Sequence, residues 1–279
     1  MEQKAKVGNL LLAALPPADL EFLVPHFRTV RLERDAVLVR SGDVIERIHF
    51  PLSGLIAFIM DMPDGQTVAT SIVGNEGAVG LLSTLGPARF PMTAVVRVAG
   101  RALEISSTRF QGALGHCSAL NGAVQTHTRA LMAQFQHVAA CNALHSVEAR
   151  LARWLLHVHD RIEGDALPLT HDTLSEFLGV RRATVTQVIS KLREQGAIKS
   201  NRRSCIEIDR PRLEAATCEC YHLMRRRIDR IVLSDQIKPT GRTRRSENPH
   251  AQASLFAEAD ETHQRPRPPA ATGSRARHH

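Results

Sequence analysis

The sequence predicts an α+β chain: an N-terminal β-sandwich or small barrel, a long helix, a winged helix-turn-helix and a basic tail. Three observations carry this expectation. Short alternating strands with turn signals run through residue 115, an almost uncharged helical stretch follows, and a capped helix, a glycine turn and a second helix come after residue 170. The 279 residues suffice for two domains of ordinary size, and 43% hydrophobic with 23% charged residues is a composition able to bury cores.

Charge divides the chain. Residues 1–115 carry 11 basic and 11 acidic side chains, so the whole net charge of +8 falls in residues 116–279. That assigns polyanion binding to the second half and leaves the first half another task. A membrane is excluded as solvent, because the longest uncharged run, Ala130 to Val147, is broken by Gln134, Gln136, His137, Asn142, His145 and Ser146. Leu10 to Leu15 is too short for a signal-peptide core before Pro16 and Pro17, and the odd set of cysteines at 117, 141, 205, 218 and 220 is no disulfide framework. A cytoplasmic protein is the expectation.

In the first segment, residues 1–115, Val30 and Leu32 alternate with charged neighbours, and Ala36 to Val39 forms a short strand before Ser41-Gly42-Asp43. Leu55 to Asp61 and Gln66 to Val73 read as a hairpin closed by Pro63-Asp64-Gly65, since Asp-Gly supplies the positive φ of a tight reversal. Two further strands, Thr93 to Val98 and Ala102 to Ile105, are expected on either side of Ala99-Gly100. The run Gly74-Asn75-Glu76-Gly77-Ala78-Val79-Gly80 reads as a loop, either a plain connection or a phosphate-facing backbone turn.

Residues 116–145 read as a dimerisation helix. Leu120, Val124, Leu131, Phe135 and Val138 recur at helical spacing, and Arg129 is the only Lys, Arg, Asp or Glu between Phe110 and Val147. So apolar a helix needs cover, either from its own chain or from a second subunit, and the expectation is a second subunit at those five residues.

Residues 146–222 hold the DNA-binding unit. Thr170-His171-Asp172-Thr173 caps a helix with Leu174, Phe177 and Leu178 inward, Gly179 breaks it, and Arg181 to Gln195 follows with Val185, Val188, Ile189 and Leu192 inward. Two strands around Asn201 to Ser204 add a wing. Between Thr170 and Cys205 seven bases face three acids. Residues 223–279 are assigned to a basic, largely disordered tail, with periodicity lost from about Ser234.

Three stretches carry a family likeness: Phe50-Pro51-Leu52-Ser53-Gly54 with Val73-Gly74-Asn75-Glu76-Gly77, the helix from Val147 to Leu156, and Leu178-Gly179-Val180-Arg181-Arg182. By them the chain resembles, over residues 9–222, the Crp/Fnr family of bacterial transcription regulators. The resemblance implies an N-terminal cyclic-nucleotide-binding-like β-roll of jelly-roll type whose Gly-rich segment is the counterpart of the phosphate cassette, making Gly74, Glu76, Gly77 and Thr93 the candidate effector residues. Nucleotide-binding members carry an Arg before the Ser or Thr of that cassette, where this chain has Met92-Thr93-Ala94, and a thioether cannot pair with phosphate. Cyclic AMP is therefore disfavoured. An N-terminal iron–sulfur cluster is disfavoured too, because the first cysteine is Cys117. The effector, if there is one, is unknown at this point.

The side chains available to base edges are Arg181, Arg182, Thr184 and Gln187, while Lys191, Arg202 and Arg203 are expected on phosphates. By resemblance Arg182 matches a base-contacting Arg; Ala183 and Gln187 depart from the family's acidic and arginine readers. His137, Cys141 and His145 lie along one helix face, and Cys218, Cys220 and His222 also invite a metal. On a continuous helix, however, Cys220 would point away from its two neighbours, so packing is assigned and no metal site is. With no nucleophile elbow, Walker loop or dinucleotide fingerprint, no catalysis is assigned. The expectation is a homodimeric, sequence-specific regulator on palindromic double-stranded DNA, with RNA polymerase as a further candidate partner. The alternative is a ligand- or metal-binding sensor or buffer that binds nucleic acid only nonspecifically.

Overall fold

The computed structural model describes residues 8–85, 89–202 and 205–236. The chain opens on two short helices, α1 (Leu10–Ala13) and α2 (Pro17–Leu23). Asn9 caps α1 by accepting from the Leu12 amide, and its fully buried side chain also donates to the carbonyls of Pro51 and Gly77 at 2.9 Å each. The apolar run Leu10 to Leu15 is thereby tied down beside the Gly-rich turn, where it packs Leu12 and Leu15 against Phe50 and Phe110.

Five antiparallel strands follow: β1 (Arg28–Leu32), β2 (Val37–Val39), β3 (Arg47–Asp61), β4 (Thr67–Val73) and β5 (Thr93–Ser106). They pair in the order β1-β5-β3-β4, with β2 also on β5. The hairpin of β3 and β4 turns as its Asp-Gly signal requires, with Gly65 at φ +81°. One expectation is corrected here, for the two strands placed either side of Ala99-Gly100 are the single strand β5. Gly100 is a point of close approach: a Cβ there would stand 2.2 Å from the Ser53 carbonyl oxygen, where the β3–β5 register shifts.

Alternation along β3 sends Leu55, Ala57 and Ile59 to a core shared with Trp154 and Phe177, and Ile56 and Phe58 to one shared with Phe90 and Met92. The strand is buried on both faces, which explains its unbroken apolar run.

Beyond the sheet come α3 (Ser107–Leu114), α4 (Ser118–Leu144) and α5 (Val147–His159). With 27 residues, α4 extends about 40 Å and crosses three cores in turn. Much of the cover expected from a second subunit comes from the chain itself. Leu120 and Val124 pack with Phe50 and Phe110, Leu131 and the half-buried Phe135 with Phe58 and Phe90, and Val138 with Trp154. Four of the five positions are buried within their own chain and Phe135 is half-buried there.

The remainder is β6 (Ala166–Leu167), α6 (His171–Leu178), α7 (Arg182–Glu194), β7 (Ile198–Arg202), β8 (Cys205–Ile208), α8 (Arg210–Ala216) and α9 (Cys220–Gln236). The three short strands form a second sheet in the order β6-β8-β7. The tail boundary also needs correction, since residues 223–236 continue α9, with Met224 in the main core and Ile228 packed against it. The rest of the proposed tail, after residue 236, lies outside the described residues. Among the described residues no helix is long and apolar enough to cross a membrane.

Candidate functional site

The helix-turn-helix is built as its residues dictate. The Thr170 hydroxyl caps α6 by accepting from the Thr173 amide at 3.1 Å, and Gly179 ends the helix in the left-handed region at φ +61°. Leu174, Phe177 and Leu178 on α6 meet Val185, Ile189 and Leu192 on α7, all at most 2% exposed. With that face committed, α7 presents Arg181, Arg182, Gln187 and Lys191 to solvent and leaves Thr184 half-buried. Arg181, Arg182 and Gln187, three of the four predicted base readers, thus lie outside the packed inner face. Asp172 holds Arg182 at 2.9 and 3.0 Å through its two oxygens. Lys191 pairs with Glu148 on α5, which also accepts from Gln195 at 2.8 Å. Burial raises the Glu148 pKa, but the Lys191 and Gln195 contacts outweigh it and leave the carboxyl below its usual value. Arg202 sits in the wing opposite Cys205, its side chain outside the described residues, and Arg203 lies outside them altogether.

In the sheet domain Gly74, Glu76 and Gly77 form one turn. The Gly74 amide donates to both Glu76 oxygens at 3.2 Å, and the Gly77 amide to the Gly74 carbonyl at 3.3 Å. Thr93 is engaged elsewhere: its hydroxyl donates to Asp61 at 2.5 Å and accepts from the Ser41 amide at 3.2 Å. Met92 is 5% exposed and packed with Phe58 and Phe90, a core position rather than a ligand contact. The two nearby arginines are also taken, Arg89 by the Gly42 carbonyl and Arg97 by Asp35 and Glu176. Gly77 has a packing reason of its own. A Cβ there would come within 2.6 Å of the His127 ring on α4. His127 is buried, and desolvation pushes its pKa down to about 4 against a weaker opposing pull from Glu76.

Two features escaped the sequence reading. The first is a pair of bridges between the halves of the molecule: Glu76 of the Gly-rich turn accepts from Arg161, just beyond α5, at 2.7 Å, and Arg97 of β5 pairs with Glu176 of α6. Neither pair has a local spacing that could reveal it. The second is a cluster of Cys141, His145, Cys218 and Cys220, whose ligand atoms all lie within 4.8 Å of one another. Both halves were visible as Cys-x-x-x-His and Cys-x-Cys, but α9 starts only at Cys220. The non-helical chain at Cys218 lets both thiols turn the same way, which corrects the expectation that Cys220 points away from Cys218. His137 instead contacts the Ala133 carbonyl at 2.9 Å, and His222 is exposed.

Comparison with known proteins matches residues 29–116 to the cyclic nucleotide-binding domain and residues 149–216 to the Crp-like helix-turn-helix domain. A CRP-like cAMP-activated global transcriptional regulator from Mycobacterium tuberculosis is 21% identical over 210 residues, covering 73% of this chain and 94% of that protein. Among solved structures, FixK2 from Bradyrhizobium japonicum aligns with a TM-score of 0.60 at 17% identity, over 69% of this chain and 98% of that one. The c-di-GMP responsive global regulator CLP from Xanthomonas campestris aligns with a TM-score of 0.59 at 18% identity, over 70% and 100%. These likenesses show the same fold along nearly the full length of each relative.

Proposed function

The chain belongs to the Crp/Fnr family of DNA-binding transcription regulators with a sensing domain, and from that premise we propose that it works as a homodimer reading a palindromic operator. The observation that carries the reading is the outward face of α7, where Arg181, Arg182 and Gln187 stand clear of a fully packed inner face. A helix so placed enters the major groove by its N-terminal half. Arg182 offers two donors to guanine O6 and N7, Gln187 suits adenine N6 and N7, and Thr184 and Arg181 flank them. Lys191, Arg202 and Arg203 meet phosphates, giving affinity and salt dependence without base choice.

The dimer seam moves to the other side of α4. Gln125, Arg129, Met132, Gln136, Ala139 and Ala143 are exposed at alternating spacings of four and three, the pattern of a two-helix seam. Two subunits joined there would set their recognition helices about 34 Å apart, one turn of B-DNA. RNA polymerase is the further partner of a bound regulator of this kind.

For the sensing domain we propose an input other than cyclic AMP bound through the usual arginine. The Mycobacterium tuberculosis relative is cAMP-activated and the Xanthomonas campestris one responds to c-di-GMP. Here the buried Met92 supports neither phosphate pairing. Calorimetric titration of the full chain with cyclic AMP is expected to show no micromolar binding; micromolar affinity lost on changing Thr93 would overturn this. Footprinting separates the main reading from a nonspecific binder, which would protect DNA diffusely instead of at a few inverted repeats.

A further inference from the structure

We propose that Cys141, His145, Cys218 and Cys220 form a binding site for a single zinc ion, fastening the start of α9, after the winged helix, to the end of the long helix α4. The four donors come from two places. Cys141 and His145 sit one turn apart at the C-terminal end of α4, and Cys218 and Cys220 flank the turn that begins α9. Cys141 Sγ lies 3.6 Å from Cys218 Sγ, and Cys220 Sγ lies 3.6 Å from His145 Nδ1. A tetrahedral zinc with bonds of about 2.3 Å to sulfur holds its ligand atoms about 3.8 Å apart. The whole set, within 4.8 Å, is therefore one small contraction from a closed Cys₃His shell. An iron–sulfur cluster, which divides its four ligands among two or more irons, needs them spread wider. Three thiolates and one imidazole are also the soft, tetrahedral donor set that selects zinc over hard cations.

Two surrounding contacts point to a metal independently of the donors. With Nδ1 turned to the thiols, His145 has Nε2 at 3.2 Å from Glu219 Oε1, the carboxylate–histidine relay that orients a ligating imidazole. On the other side Arg153 is fully buried and its Nε donates to Cys141 Sγ at 3.2 Å, while both terminal nitrogens lack a hydrogen-bond partner. Among the described residues no carboxylate pairs with it. A buried guanidinium without a counter-charge is costly. Three thiolates around one Zn²⁺ carry a net single negative charge and would supply it.

The test uses the full chain, reduced and stripped of metal under anaerobic conditions, then titrated with Zn(II) against a competing chelator and separately with Co(II). One equivalent of zinc is expected, and Co(II) should give the intense d–d and thiolate charge-transfer bands of a tetrahedral sulfur site. Glu219→Gln should weaken zinc by about 10-fold, and Cys220→Ser by more, whereas Cys205→Ser and His222→Ala should leave affinity unchanged. Failure to bind zinc, an octahedral cobalt spectrum, or equal loss in Cys205→Ser would overturn the site. So would a mass two units lower with Cys141 and Cys218 joined and no metal taken up. Should Cys220→Ser not fold, the cobalt spectrum of the unaltered chain decides alone. Because these readouts concern only the metal, they stand or fall separately from operator recognition.

Discussion

Arg182 and His127 show how differently two side chains report their placement. The exposed position of Arg182 was legible in the sequence because a helix-turn-helix fixes which face of its second helix is buried, and the structure adds that Asp172 holds the guanidinium in place. Arg182→Ala should cost about 1 to 3 kcal/mol on the preferred operator and relax choice at one base pair, as read by binding-site selection on wild type and variant. Arg203→Ala should weaken all sequences alike and flatten the salt dependence. His127 gave no such signal, since its burial against Gly77 depends on contacts distant in sequence. An unfolded imidazole protonates near 6.5 while the folded one resists until about 4. Between those values the unfolded state binds more protons, so stability falls as pH drops through that window and levels off below it. The buried His157, also held well below its ordinary pKa by desolvation, adds to the slope. The His127 part amounts to about 3 kcal/mol, and His127→Gln should flatten the dependence in denaturant melts between pH 6.5 and 4.

At the scale of elements, turn chemistry and helix caps were the readable parts. Gly179, Gly65 and Thr170 each carry a local requirement that needs no knowledge of the rest of the fold. Burial was not readable in that way. An uncharged helix must be covered, but the sequence of α4 does not say by what, and its own three cores cover the side assigned to a partner. The same limit hid the continuity of β5, because Gly100 marks a close approach to Ser53 and a turn in sequence looks no different. The two faces of α4 should now respond in opposite ways. Met132→Asp with Ala139→Asp, on the exposed stripe, should give folded monomers in analytical ultracentrifugation with the helical circular dichroism retained. Leu131→Asp, buried at 3% exposure, should instead lower the melting temperature sharply. A double variant that stays dimeric would place the seam elsewhere.

Over the whole molecule, the sensing half and the reading half are in direct contact. The Gly-rich turn reaches the DNA-binding unit through Glu76 and Arg161, and β5 reaches α6 through Arg97 and Glu176. The Arg97 contact persists although burial of Glu176 favours its neutral form and pushes its pKa up against the pull of Arg97. The charge division of the sequence foretold two halves with separate tasks, but it could not foretell that two ion pairs would join them. Arg161→Ala should therefore alter DNA affinity without touching a base reader, measurable by fluorescence anisotropy on the selected operator. The central claim, a dimer that reads DNA with α7, is tested most directly by binding-site selection from random duplexes with the full chain. The account predicts an inverted repeat whose half-site centres lie about 10 base pairs apart. Enrichment of no motif, or of a single unrepeated half-site, would contradict it.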